Sequence, residues 1–194
     1  MTKTSTFQEG KPTFLLDVDG VLANFVQGMI DSHSLSISHD EYITWDMHRT
    51  LGLSDEAFWY PANCREWWAS LPLYPDAHKL HAMLEVRGNV IFATSPNRSA
   101  DCPSGKVDWL RVRGFLGSES TNYVISPHKQ LMAASGAILI DDSKTNVDKY
   151  RESGGTALLY PQPWNSVLSE DCNELERLET QIDVLLDNNL GVVS

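Results

Sequence analysis

The stretch TFLLDVDGVLANF (residues 13–25) decides the fold. Four apolar or β-favouring residues run into Asp17-Val18-Asp19-Gly20, and a helical pattern follows from about Asn24 to Ser32. A short apolar strand that ends in acids and a glycine, and then turns into a helix, is the opening unit of an open α/β sheet. The same grammar recurs downstream. Asp76 to Val86 reads as a helix with Ala77, Leu80 and Leu84 on one face, stopped by Gly88. Asn89 to Ala93 is a second strand, and Ser104 to Arg113 a helix ended by Gly114. Asn122 to Ile125 and Ala137 to Ile140 are a third and fourth strand. A helix from Lys144 to Glu152 leads to a fifth strand, Thr156 to Leu159. Apolar strands separated by helices predict right-handed crossovers and a parallel sheet covered on both faces. The fold class is α/β.

About 70 residues separate the first two strands, more than a crossover helix requires. Within them, residues 34–74 hold Trp45, Trp59, Trp67 and Trp68, four of the six tryptophans, with Phe58, Tyr42, Tyr60 and Tyr74. The spacing predicts a small helical cap over 34–74, a core made of 1–33 and 75–160, and a terminal acidic segment, 161–194. In that segment Leu175, Leu178, Ile182 and Leu185 recur at helical steps opposite seven acids, which predicts an amphipathic helix packed on the core. A dimer-forming use of that helix, and so a homodimer, stays open.

Composition narrows the partners. The 194 residues carry a formal net charge of −11, which argues against a nucleic-acid backbone binder. No apolar run reaches the roughly 18 residues of a membrane span, and the polar start lacks a signal-peptide core. Cys64, Cys102 and Cys172 are scattered, which excludes a disulfide framework or zinc motif and favours a reducing cytoplasm. The six histidines do not cluster at ligand spacing.

In a parallel sheet, ligands bind beyond the carboxyl ends of the strands. There the sequence places Asp17 and Asp19, then Thr94-Ser95-Pro96, then Lys129, then Asp141-Asp142. Each alone is ordinary: a turn, a cap, a surface lysine. Together, in order and each at a strand end, they are the donor set that holds Mg²⁺ and a phosphate.

DVDGVLANF (17–25), FATSP (92–96), Lys129 and LIDDS (139–143) resemble the four motifs of the haloacid dehalogenase (HAD) superfamily of phosphohydrolases. The chain is most similar to the 5′(3′)-deoxyribonucleotidase family, through Phe25, Thr94-Ser95-Pro96 and CPSGKVDWL (102–110), although Asn24 stands where that family usually has Asp. The resemblance spans about residues 13–160. It implies a Rossmann-like core with a cap after the first strand, and Mg²⁺-dependent hydrolysis of a small-molecule nucleoside 5′-monophosphate. It further implies Asp17 as nucleophile and Asp19 as acid and base, with Thr94, Ser95 and Lys129 on the phosphate. Asp17, the Asp19 carbonyl and one of Asp141 and Asp142 would hold the metal, Asp142 being preferred. Phe25 and Trp45 are the expected base-stacking residues. Three other readings compete. A general HAD phosphatase of small phosphomonoesters shares the same motifs. A metal-dependent nucleotide-sugar transferase would explain Asp17-x-Asp19 but not Thr94, Lys129 or Asp141-Asp142. A phosphoacceptor receiver domain would place its acidic pair after the first strand, not the fourth.

Overall fold

A computed structural model describes residues 7–38, 47–165 and 173–190. Five strands form one parallel sheet: β1 (Thr13–Leu16), β2 (Asn89–Thr94), β3 (Tyr123–Ile125), β4 (Ile138–Asp141) and β5 (Thr156–Leu159), in the order β3-β2-β1-β4-β5. β1 lies at the centre, with Leu16 opposite both Phe92 and Ile140. The chain first adds strands on one side of β1 and then on the other, so a crevice opens at its carboxyl end.

Alternation along the strands fills two layers. Phe14, Leu16, Phe92, Ile138 and Ile140 point to one face, Leu15, Ala93, Leu139 and Ala157 to the other. The helices are α1 (Phe25–Ser32), α2 (Met47–Thr50), α3 (Asp55–Trp59), α4 (Arg65–Ser70), α5 (Ala77–Arg87), α6 (Asp101–Val112), α7 (Lys144–Glu152) and α8 (Glu174–Leu190). α6 starts three residues before the predicted Ser104, because Pro103 falls in its first turn, where a missing N–H costs nothing. Asn24 caps α1 by accepting from the Gln27 N–H at 2.9 Å. On α8, Leu178 and Ile182 are buried in the larger core cluster. Arg87 at the end of α5 ties α8 down through Glu179 and Asp183.

The segment between β1 and β2 is not uniform. α4 packs closely on α6 because Gly105 has no side chain: a Cβ there would lie 2.5 Å from the Arg65 carbonyl oxygen. The Trp109 indole donates to the Leu71 carbonyl at 2.8 Å, Arg113 donates to the same oxygen at 2.9 Å, and Arg65 pairs with Asp108. The Asn24 N–H donates to the Pro72 carbonyl at 2.8 Å, closing the return to α1. Residues 61–74 are thus built into the core. α3, capped by Ser54, reaches the β2–α6 loop through one ion pair, Asp55–Arg98 at 3.3 Å.

His81 shows how this core responds to acid. Its ring stacks on Phe92 at 5.4 Å and meets Phe115 edge-on. Burial lowers its pKa from the ordinary 6.5, outweighing the opposing pull of Glu85. At this ring the folded state therefore binds fewer protons than the unfolded chain below pH 6.5, so the contribution of His81 to stability should fall as pH drops through that window. Urea unfolding of wild type and His81→Phe from pH 8 to pH 5 isolates this contribution: the stability of wild type relative to the variant should fall toward pH 5. A difference that stays constant with pH would place the titrating group elsewhere.

Candidate active site

The β1–α1 loop is a tight coil. The N–H groups of Leu22 and Ala23 both donate to the Val18 carbonyl at 2.8 Å, and Gly20 takes φ +78°, a conformation that other residues rarely adopt. Gly20 is also pressed on Asp142: a Cβ would sit 2.3 Å from Asp142 Oδ2. The loops after β1 and β4 therefore touch, and Asp17, Asp141 and Asp142 converge, with one carboxylate oxygen from each lying within 4.8 Å of the others. Among the described residues this is the one such cluster of possible metal ligands.

All three acids are buried. Lys129, at 2% exposure, enters from the 3₁₀ turn after β3 and bonds Asp17 Oδ1 at 2.8 Å and Asp141 Oδ2 at 2.6 Å. Burial alone would push its ammonium pKa down, but the two acids outweigh that and hold it above the usual lysine value. Burial, with Asp141 adding to it, pushes Asp17 up to about 8 despite Lys129. Asp142 is raised well above the usual carboxylate range by burial and then by Asp17 and Asp141, while the Trp164 indole N–H pulls it back. One lysine among three buried carboxylates leaves negative charge uncompensated. Hard oxygen donors in that state fit a small divalent cation.

Asp141 and Asp142 differ in their surroundings. Asp141 is saturated by protein donors: Lys129, the Ser143 N–H at 2.8 Å and both oxygens bonded by Asn146 at 3.1 Å. Asp142 receives Trp164 at 2.8 Å.

Asp19 lines a cavity of about 740 Å³. Its Oδ2 meets Lys106 Nζ, which also bonds Thr94 Oγ1 at 2.9 Å and the Ser95 carbonyl, while its buried Oδ1 has no hydrogen-bond partner. Phe25, Trp59 and Trp68 line the same cavity, as do Asp55, Glu56 and Arg98, and Lys106 lies over the Trp68 ring at 4.7 Å. Charged and aromatic side chains thus share one space.

A family model described as 5′ nucleotidase, deoxy (pyrimidine), cytosolic type C protein matches residues 11–185. The chain belongs to this family. It is a phosphatase of the 5′-nucleotidase type, and its α/β fold is that of solved HAD-like hydrolases. Similar structures include the HAD-hydrolase YfnB of Bacillus subtilis, described as bound to magnesium, at 12% identity and TM-score 0.54, covering 89% of this chain and 99% of that one. Another is the HAD family hydrolase of Deinococcus radiodurans, described with bound phosphate and sodium, at 15% identity and TM-score 0.52, covering 92% and 96%. A third is the haloacid dehalogenase-like protein SP0104 of Streptococcus pneumoniae, at 14% and 0.53, covering 91% and 98%. At these identities they share the fold. No curated protein matches the chain in sequence.

Within this nucleotidase scaffold, Asp17, Asp141, Asp142 and Lys129 meet in one cluster, and Asp19, Thr94 and Ser95 stand beside it. Ser95 lines the cavity, though its hydroxyl also donates to the Ser126 carbonyl at 3.3 Å. Phe25 lines the cavity but is itself packed among Trp59, Trp67 and Trp68, with ring centroids 5.6–5.8 Å apart. Trp45 lies outside the described residues.

Lys106 was not assigned a role from sequence. The signal existed: Cys102, Lys106, Trp109 and Leu110 form the buried stripe of α6, and a lysine on a buried stripe has to meet a charge.

Proposed function

We propose that this nucleotidase hydrolyses nucleoside 5′-monophosphates, with deoxyribonucleotides preferred, through a phosphorylated Asp17. The observation that carries the reading is Asp19, which stands beside the acidic triad and lines the cavity that Phe25 and Trp59 share, with one buried oxygen unpartnered. An acid with a free oxygen at that junction is where a leaving-group oxygen would lie.

Lys129 and the Val18 N–H both hold Asp17 Oδ1, at 2.8 and 2.7 Å, so the reading assigns attack on phosphorus to Oδ2. The P–O5′ bond breaks as the Asp17–P bond forms, and Asp19 gives its proton to the departing nucleoside oxygen. Asp19 then takes a proton from water as the oxygen of that water attacks phosphorus, which frees Asp17 and inorganic phosphate. Thr94 and Ser95 bind phosphoryl oxygens, and Lys106 and Lys129 supply positive charge on two sides. Asp17, the Asp19 carbonyl and Asp142 would hold Mg²⁺, which screens phosphate from the carboxylates. Saturated by other donors, Asp141 orients Lys129. Trp59, half-buried at the cavity wall, offers a face for a planar base, while Trp68, buried beneath Lys106, backs that wall. The family description and the net charge of −11 favour a cytoplasmic enzyme acting on small molecules rather than nucleic acid, and no described helix is long and apolar enough to cross a membrane.

Phosphate release across ribo- and deoxyribonucleoside monophosphates, sugar phosphates and an aryl phosphate, with Mg²⁺ or EDTA, tests this. Activity should require Mg²⁺ and favour pyrimidine deoxynucleotides. Stacking contributes about 1–3 kcal/mol per base, so Trp59→Ala should raise KM for nucleotides by roughly 5- to 150-fold and spare the aryl phosphate. Sugar phosphates outcompeting every nucleotide would reduce the reading to a general phosphatase, and full turnover in EDTA would remove the metal from it.

A further inference from the structure

The segment that follows β5, Tyr160 to Asn165, contains no charged residue, yet it touches both acidic loops. The Trp164 indole N–H donates to Asp142 Oδ2 at 2.8 Å. Asn165 Nδ2 donates to the backbone carbonyls of Asp142 at 2.9 Å and Tyr160 at 2.7 Å. The Gln162 side-chain amide, 4% exposed, donates to the Gly20 carbonyl on the opposite loop. The Gln162 N–H in turn donates to Asn165 Oδ1 at 3.1 Å, closing the turn on itself. One short strap therefore fixes the loop of Asp17 and Asp19 at Gly20 and the loop of Asp141 and Asp142 at a carboxylate oxygen.

We propose that Trp164 is a positioning residue for the divalent-cation site, holding the Asp142 carboxylate toward Asp17, while Gln162 holds the facing loop in register. The inference rests on the metal reading above. Its physical basis is the kind of donor used. Asp142 shares its space with two other acids, and a carboxylate in that position lowers its energy by swinging away from them. A lysine at position 164 would hold it, but its positive charge would repel the incoming cation. An indole N–H donates without carrying charge and has no acceptor lone pair, so it fixes an accepting carboxylate oxygen without adding a charge that would oppose the cation. Gly20 packs against the same carboxylate, where even a methyl group would collide with it. Asp142 therefore has both a fixed donor and a fixed wall. Partners of this kind, behind a ligand, typically account for 10- to 100-fold in metal affinity.

Calorimetric titration of the full chain with Mg²⁺ alone, without substrate, tests the assignment. Trp164→Phe keeps a ring in the core and removes the donor, while Trp164→His restores an N–H in a different ring. Trp164→Phe should weaken Mg²⁺ binding about 10- to 100-fold, with metal-free thermal unfolding close to wild type, and Trp164→His should recover most of the affinity. Should Trp164→Phe fail to fold, benzothienylalanine at position 164, which has the indole shape without the N–H, should show the same loss. Wild-type affinity in the donor-free protein, or equal losses in the Phe and His variants, would overturn the assignment by leaving the ring's packing as its whole contribution. A wild-type chain that binds no Mg²⁺ would instead overturn the metal reading, and the two failures are told apart by the wild-type titration.

Discussion

Asp17→Asn should leave less than about 1% of wild-type kcat, because an amide has no anionic oxygen with which to open the P–O bond. The loss should come without a loss of fold. Asp17 is buried, and burial together with Asp141 pushes its carboxyl up to about 8, so the native state already strains against the charge that the variant removes. Thermal unfolding of Asp17→Asn without metal should accordingly match or exceed wild type. Single-turnover mixing with a nucleotide would then show binding without a burst of nucleoside. A folded variant retaining more than about 1% of turnover would move the nucleophile to another residue.

Lys129→Met should produce the largest loss of stability of any single change in the site. The ammonium is 2% exposed and bonds both Asp17 and Asp141. Removing one member of a buried charged set leaves the others unpaired, at a cost of about 3–5 kcal/mol. Urea unfolding at neutral pH in EDTA measures it. A loss below about 1 kcal/mol would mean that solvent, rather than Lys129, balances the acids. Methionine fills a similar volume, so the measured loss reports charge more than packing.

The acidic and hydroxyl positions were legible in the sequence because their meaning depends on local order. Asp17, Thr94 and Asp141 follow or end runs that could only be central strands, and the carboxyl end of a central strand in a parallel sheet is a shared place. The five strands were legible for the same reason, since apolar runs of that length between helices leave few alternatives. The rest depends on contacts that spacing does not encode. Lys106 occupies a helical position that reads as solvated until the neighbouring stripe of Cys102, Trp109 and Leu110 is weighed, and its partner Asp19 is 87 residues away. Trp164 stands in a turn rich in Pro and Asn, where nothing local marks it as facing a carboxylate. The inserted segment read as one aromatic unit because tryptophan count says nothing about anchoring. The division came from Gly105, whose missing side chain draws α4 onto α6.

That close approach has a consequence for how such enzymes diversify. Trp68 is carried by the helix sealed against α6, so it is inherited with the scaffold: a change there disturbs Lys106 above its ring and the phosphate end with it. Trp59 and its neighbours Asp55 and Glu56 sit on a five-residue helix that meets the β2–α6 loop through one exposed ion pair. Phe58 on the same helix is buried in the core and Trp59 packs on Phe25, so variation on that side costs least at the exposed Asp55 and Glu56. Lineages sharing this scaffold would therefore drift fastest at the wall carried by α3, keeping one reaction while trading one base for another.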